Sequence, residues 1–225
     1  MKRAEVDLAM EWAAAEGWNP GRYDGEWQGF GIQIWQAAME YLGTRNLGLD
    51  GVIAQQENYK KSGFKLAYHH IRYEGIGGGI LPSETVNLTE IPLTTLVAYD
   101  RQLFPAQRPN FLHCWIRQPE STALGIVREN QLVGYGVSRS CQIGYKIGPL
   151  FANDGEIAQT LFQALLAKTP DAPVFIDIPD RNTEALALVE SYQMKPVFGT
   201  ARMYTQEEPS LLLHRIFGVT TLELG

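Results

Sequence analysis

Residues 145–178 read YKIGPLFANDGEIAQTLFQALLAKTPDAPVFIDI, and this stretch decides the fold class. Tyr145–Phe151 is a short apolar strand, Gly155–Lys168 repeats apolar residues at helical spacing, and Val174–Ile178 is a buried strand. A strand–helix–strand unit is a crossover connection, which sets its two strands parallel and adjacent. Upstream lies a hairpin with strands Ala123–Arg128 and Leu132–Ser140 joined by Glu129-Asn130-Gln131, preceded by helical segments at about 92–103 and 108–116. Downstream come a helix at Thr183–Tyr192, a strand at Val197–Thr205 and a final strand at Arg215–Leu222. An antiparallel meander that runs into a parallel unit, with helices interleaved, predicts an α/β protein built on a mixed sheet.

The N-terminal third carries a second version of the same order. A helix at 4–16 stops at Gly17, another runs from Gly31 to Tyr41, and a strand spans Leu47–Ala54. A helical turn at Glu57–Ser62 ends on Gly63, and Lys65–Tyr73 is a strand. Helix, strand, helix, strand thus occurs twice, closing on Arg72-Tyr73 in one copy and on Arg202-Met203-Tyr204 in the other. Two such copies are expected to pack side by side in one molecule. The glycine-dense stretch Glu74–Gly79 reads as the boundary between them.

Composition narrows the function classes. A net charge of −6 and a pI near 5.3 argue against a nucleic-acid backbone as partner. Glu5, Asp7, Glu11 and Glu16 are wrong for a signal peptide, and no apolar run approaches the ~20 residues of a membrane span. Cys114 and Cys141 fit no disulfide or metal spacing, and His69, His70, His113 and His214 show no ligand pattern. The expectation is a cytoplasmic protein without metal, with a homodimer as the possible assembly.

Two motifs carry chemistry. Gln28-Gly29-Phe30-Gly31-Ile32 is a glycine turn that opens a helix, and such turns offer backbone N–H groups to a phosphate. Asn58-Tyr59-Lys60-Lys61-Ser62-Gly63-Phe64 follows a strand and contains Tyr-x-x-x-Gly-Phe. A glycine turn into a helix, a strand, and then Tyr-x-x-x-Gly-Phe resembles the GNAT N-acetyltransferases. Further segments, among them Gly48-Leu49-Asp50-Gly51-Val52, Tyr145-Lys146-Ile147-Gly148-Pro149-Leu150 and the ending Phe217–Gly225, resemble a bacterial branch with two GNAT-like domains in tandem. The resemblance implies that Gln28, Gly29, Phe30, Gly31, Ile32 and Asn58 bind acetyl-CoA. It implies that Tyr59 is the general acid that protonates the departing thiolate, and that the acceptor is a primary amine on a small molecule.

The resemblance also marks departures. Glu26 stands at the first position of the family's Arg/Gln-x-x-Gly-x-Gly/Ala turn. No room exists between Asp24 and Trp27 for the strands that precede that turn in a complete domain, including the one that splays to receive the pantetheine arm. Residues 1–75 therefore read as a partial domain, 76–89 as a linker, and 90–225 as a second, non-catalytic GNAT-like domain. In that second domain Val189 replaces the acid tyrosine, Gln193-Met194 replaces Gly-Phe, and Asp154 intrudes on the phosphate turn. No general base stands out; Glu223 is the one candidate. An N-acetyltransferase and a non-catalytic relative that binds a ligand or a partner chain both remain open at this point.

Overall fold

A computed structural model describes residues 30–223. The predicted helix at 4–16, Glu26, Gln28 and Gly29 lie outside the described residues. The chain divides into two compact units, residues 1–47 and 48–225. In the first, helix α1 (Phe30–Leu42) ends on Gly43, whose φ of +59° lets its N–H reach back to the Met39 carbonyl.

The second unit is a single nine-stranded mixed sheet between helices. Its elements are β1 (Gly48–Val52), α2 (Gln56–Lys61), β2 (Lys65–Ile76), β3 (Val86–Asn87), α3 (Leu93–Asp100), α4 (Pro109–Trp115), β4 (Ser121–Arg128) and β5 (Gln131–Ser140). There follow β6 (Tyr145–Ala152), α5 (Gly155–Leu166), β7 (Pro173–Pro179), α6 (Thr183–Ser191), β8 (Lys195–Tyr204) and β9 (Ile216–Gly218). The expected final strand at 215–222 shrinks to three residues, because Leu213–Arg215 winds into a 3-10 turn before it and residues beyond Gly218 leave the ladder. The hairpin turn is Glu129-Asn130, both with positive φ, so Gln131 belongs to β5.

The predicted crossover holds: β6 and β7 pair in parallel through Tyr145↔Val174, Lys146↔Phe175 and Ile147↔Ile176. Around it the sheet runs β1-β8-β2-β7-β6-β5-β4-β3. The order shows an exchange. Each copy of the repeat contributes an inner strand (β1 or β7) and a terminal strand (β2 or β8), and each inner strand pairs with the other copy's terminal strand. Asp50 of β1 faces Arg202 of β8 in register, and Asp177 of β7 faces Arg72 of β2. The terminal strands β2 and β8 lie antiparallel beside each other, with Tyr68↔Arg202, His70↔Thr200 and Arg72↔Phe198. These three pairs are arranged symmetrically about His70 and Thr200, so a local two-fold axis passes there.

The glycine-dense segment expected as a linker is bound down. Gly77 N–H donates to the Ala172 carbonyl and Gly78 N–H to that of Leu166, each at 2.8 Å. A Cβ on Gly77 would lie 2.0 Å from the Thr169 carbonyl oxygen, so only glycine passes there.

Two cores flank the sheet. Under α5 and α6, Ile147, Leu150, Ile176 and Ile178 pack against Leu161, Phe162, Leu165 and Val189. Under α3 and α4, Tyr135, Val137, Phe151 and Ile216 pack against Leu96, Leu103, Leu112 and Trp115.

Candidate functional site

Two regions of the repeat correspond to the expected chemistry, and they have diverged. Helix α2 ends in a tight turn in which Phe64 N–H donates to the Tyr59 carbonyl at 3.1 Å. Helix α6 ends the same way, with Met194 N–H to the Val189 carbonyl at 3.0 Å. Tyr59 and Val189 are therefore equivalent positions, as the sequence alignment of the copies expects. Gly63 (φ +90°) and Gln193 (φ +56°) are the matching left-handed residues.

The Tyr59 ring lies against β1 at Gly51. A Cβ on Gly51 would be 2.3 Å from the Tyr59 Cε2 atom, so the ring occupies the space a side chain would need. Burial raises the Tyr59 pKa, which keeps its hydroxyl protonated and able to donate. Asn58 sits on the exposed side of α2, where its amide nitrogen donates to Gln55 Oε1 at 2.5 Å and its oxygen accepts from Lys61 Nζ at 3.4 Å. Phe30, Gly31 and Ile32 form the first turn of α1, a turn without an acidic residue.

The start of α5 differs. Asp154 caps it, accepting from Ile157 N–H at 2.9 Å, and Glu156 lies in its first turn. A Cβ on Gly155 would meet Glu184 Oε2 at 2.7 Å. Three carboxylates thus surround a helix end that already has its cap, an arrangement hostile to an anion.

The gap beside β6 is also filled. Beyond Ile147 the parallel ladder of β6 and β7 ends, and β9 enters on β6 through Leu150↔Gly218 and Phe151↔Ile216. Val219 N–H then donates to the Asp177 carbonyl at 2.8 Å, which bridges the chain to β7. Asn182 Nδ2 holds the approach to this segment, donating to the carbonyls of Leu213, His214 and Ile216 at 3.0–3.2 Å. The polypeptide itself occupies the splay between these strands.

On the face of β1 opposite Tyr59, Asp50 is the centre of a buried network. Its Oδ2 accepts from Arg202 NH1 at 2.6 Å, and its Oδ1 lies 2.6 Å from His70 Nδ1 and accepts from the Thr200 hydroxyl at 3.3 Å. Arg202 Nε donates to the Tyr204 hydroxyl at 2.9 Å. Burial pushes the Asp50 pKa up, but the hydrogen bond and charge of His70, with the charge of Arg202, outweigh it and hold the carboxyl below its ordinary value. Burial and the neighbouring Tyr204 push the Tyr68 phenol well above its ordinary value. The buried side chains of His70 and Tyr68 border a small cleft whose other walls include Leu103, Phe104, Leu211 and Val219.

The sequence reading passed over His70. The doublet His69-His70 shows no ligand pattern in the sequence, and strand alternation sends His69 to Asp180 (Nδ1–Oδ2 3.1 Å) and His70 inward to Asp50. Glu223, the sequence candidate for a base, faces Lys146. Burial raises its pKa, but Lys146 and the Thr221 hydrogen bond lower it further, which makes it a weaker base. Among the described residues no three His, Cys, Asp or Glu side chains converge as a metal site, and no helix is long and apolar enough to cross a membrane.

The family model of the acetyltransferase (GNAT) domain matches residues 96–218. Holothin acyltransferase of Pseudoalteromonas sp. (strain SANK 73390) is 29% identical over 202 residues, covering 88% of this chain and 68% of that protein. A solved structure from Pyrococcus horikoshii, assigned as an acetyltransferase, superposes with a TM-score of 0.73 at 23% identity, covering 91% of this chain and 67% of that one. A tandem GNAT protein from the clavulanic acid biosynthesis pathway superposes with a TM-score of 0.53 at 13% identity, covering 84% of this chain and 73% of that one. At such identities the two structural likenesses bear on the fold alone.

Proposed function

The chain belongs to the GNAT acetyltransferase family, and we propose that it transfers the acetyl group of acetyl-CoA to a primary amine of a small molecule. The observation that carries the reading is Tyr59: a protonated phenol set against the backbone of β1 at Gly51, in the copy of the repeat that keeps the Tyr-x-x-x-Gly-Phe motif. The amine attacks the thioester carbon, the carbon–sulfur bond breaks, and the tyrosine gives its proton to the leaving thiolate. The transfer is direct, with no acyl-enzyme.

Acetyl-CoA is assigned to the copy containing residues 28–64. The turn Gln28–Ile32 contacts the pyrophosphate, and Asn58 contributes from α2. Support comes by contrast from the other copy, where Asp154, Glu156 and Glu184 crowd the helix end and β9 occupies the splay. A relative named for acyl transfer, holothin acyltransferase, is in keeping with the reaction class.

The test is calorimetry with acetyl-CoA together with thiol release in the presence of a panel of primary amines. Tyr59→Phe is expected to keep acetyl-CoA affinity and to lose ~10²–10⁴-fold in turnover. Gly29→Glu is expected to lose binding while Gly155→Glu keeps it. The reverse pattern would place the cofactor in the other copy. A chain that binds no acetyl-CoA would be a ligand- or partner-binding member of the family instead.

A further inference from the structure

Strand pairing lines up a row of side chains across the middle of the sheet. Arg139 of β5 stands beside Lys146 of β6, Lys146 beside Phe175 of β7, and Phe175 beside Glu74 of β2. All four lie on the face that also carries Asp177 and Arg72. Lys146 Nζ donates to Asp177 Oδ2 at 2.8 Å and Arg72 Nε to Asp177 Oδ1 at 2.7 Å, so these two cations share one buried carboxylate. Arg139 has no such arrangement. Among the described residues it forms no ion pair, and its Nε is buried without a hydrogen-bond acceptor. Its guanidinium carbon lies 4.2 Å from the centre of the Trp115 ring. That ring is itself fixed, because its N–H donates to the Gly148 carbonyl at 3.0 Å and it stacks on Phe111.

The charges of this corner do not cancel. Arg139, Lys146 and Arg72 are three cations, whereas Asp177 and Glu223, the carboxylate near Lys146 and Arg72, are two anions. Glu74 is matched by Lys195, its partner on β8. One positive charge is left over, and it sits on a partly buried guanidinium. Burial lowers the Arg139 pKa by more than Cys141, Glu223 and Asp177 raise it, so the nearby acids do not make up for the lost water. A second observation is aromatic. Phe175 is on a central strand, yet its ring belongs to neither core and stays partly exposed beside Lys146. Its neighbours Val174 and Ile176 point the other way, into the core under α5 and α6. The open face is thus a shelf with an unmatched cation at one end and an uncovered ring two strands away, about 10 Å along the row.

We propose that this shelf binds a small aryl carboxylate, with its carboxylate on the Arg139 guanidinium and its flat apolar body against Phe175. A guanidinium takes a carboxylate through two parallel N–H donations, and stacking on Trp115 sets the plane of that fork in advance. A monoanion matches the single unbalanced charge. A phosphate dianion would bring a second negative charge towards Asp177 and Glu223 and would leave Phe175 uncovered. The site lies in the copy to which acetyl-CoA is not assigned, so it stands or falls independently of the acyl-transfer reading.

The experiment is calorimetry on the whole chain with 2-naphthoate, beside 2-naphthamide as the probe without charge and inorganic phosphate as the probe without a ring. 2-Naphthoate is expected to bind at least ~10-fold more tightly than either, the ratio that one charge-assisted hydrogen bond supplies. Arg139→Gln should weaken it by at least ~10-fold and Arg139→Lys by less, since lysine keeps the charge and loses the fork. Phe175→Ala should weaken it by about 3–10-fold through the lost ring contact. A readout in the wild-type chain covers the case in which a variant does not fold. The Arg139 Nε–H resonance, assigned by its loss in Arg139→Lys, should shift with 2-naphthoate and stay with 2-naphthamide. Neither heat nor shift at tens of millimolar overturns the proposal, as does unchanged affinity in Arg139→Gln. Phosphate bound as tightly as 2-naphthoate would make this a plain anion site and overturn the assigned ligand. Competition between 2-naphthoate and acetyl-CoA would place the probe in the other copy, which also overturns it.

Discussion

Asp50 and Asp177 occupy equivalent places in the two copies of the repeat, and each is tied to an arginine of the other copy. Asp50 pairs with Arg202 at 2.6 Å, and Asp177 with Arg72 at 2.7 Å and 3.1 Å. Both carboxylates are fully buried. What differs is the second partner. Asp177 has Lys146 at 2.8 Å, a fixed charge within its own sheet; Asp50 has His70, which borders the cleft. The shared half of the arrangement fastens the exchanged strands, and the unshared half distinguishes the two copies. In one copy the second partner is a flexible ammonium, and in the other it is a planar ring held by a single short contact.

The largest effects should come from breaking the shared half. Asp177→Ala removes the buried carboxylate that Arg72 and Lys146 share, and Asp50→Ala removes the one that binds Arg202. Loss of one partner from a buried pair costs about 3–5 kcal/mol, so both variants should show strongly reduced urea midpoints. Asn at the two positions separates the copies more finely. Asp177→Asn should lower stability and leave turnover at low temperature near wild type. Asp50→Asn should lower stability as well, since an amide cannot replace the charge that meets Arg202. Equal losses in the two variants would show that His70 and Lys146 are interchangeable as second partners.

The same pair governs behaviour in acid. For both aspartates burial alone would raise the pKa, but their cationic partners hold it below the ordinary value of 3.8. A carboxylate with a depressed folded pKa contributes stability that is present above its unfolded pKa and lost as pH falls through the folded one. Wild-type unfolding free energy should therefore decline below about pH 4, and the double variant Asp50→Asn/Asp177→Asn should show a flatter curve there. Parallel curves would mean that other carboxylates set the acid limb.

Much of this was legible in the sequence, and the part that was not has a physical reason. Strands and helices follow from apolar spacing, and the equivalence of Tyr59 with Val189 follows from the shared turn after each. The exchange of β2 and β8 does not, because Arg72-Tyr73 and Arg202-Met203-Tyr204 carry the same pattern and would fit either inner strand equally well. His70 was invisible for a related reason: its meaning depends on Asp50, which reaches it across β8 and stands 20 residues away in sequence. The place of β9 was hidden too, since three residues in a short apolar stretch say nothing about which gap they enter.

A middle-sized effect tests how closely Tyr59 depends on β1. Gly51→Ala puts a methyl where the Tyr59 ring lies, 2.3 Å from Cε2 and 2.6 Å from Cδ2. The ring must swing away, at a cost of about 1–3 kcal/mol for an overpacked contact. If the phenol is the acid, turnover should fall by much more than the stability loss explains while acetyl-CoA still binds. Activity close to wild type would show that the ring's position against β1 is immaterial to proton delivery.

The smallest effect sharpens the comparison of the two helix ends. Gly63 takes a φ of +90° and Gln193 one of +56°, and each is followed by the same hydrogen bond back to Tyr59 or Val189. A left-handed φ is free for glycine and mildly strained for glutamine. Gly63→Gln should therefore destabilise by about 1 kcal/mol, since φ at +90° lies further from the left-handed well than +56° does. Gln193→Gly should gain a few tenths to ~1 kcal/mol from relieved strain, offset in part by the greater chain entropy of glycine in the unfolded state. Opposite signs in the two thermal midpoints would show that the turns are interchangeable scaffolding and that the copies differ in what the turn presents, a tyrosine or a valine. If Gln193→Gly destabilises instead, the glutamine side chain makes a compensating contact, and the second helix end has acquired a role of its own.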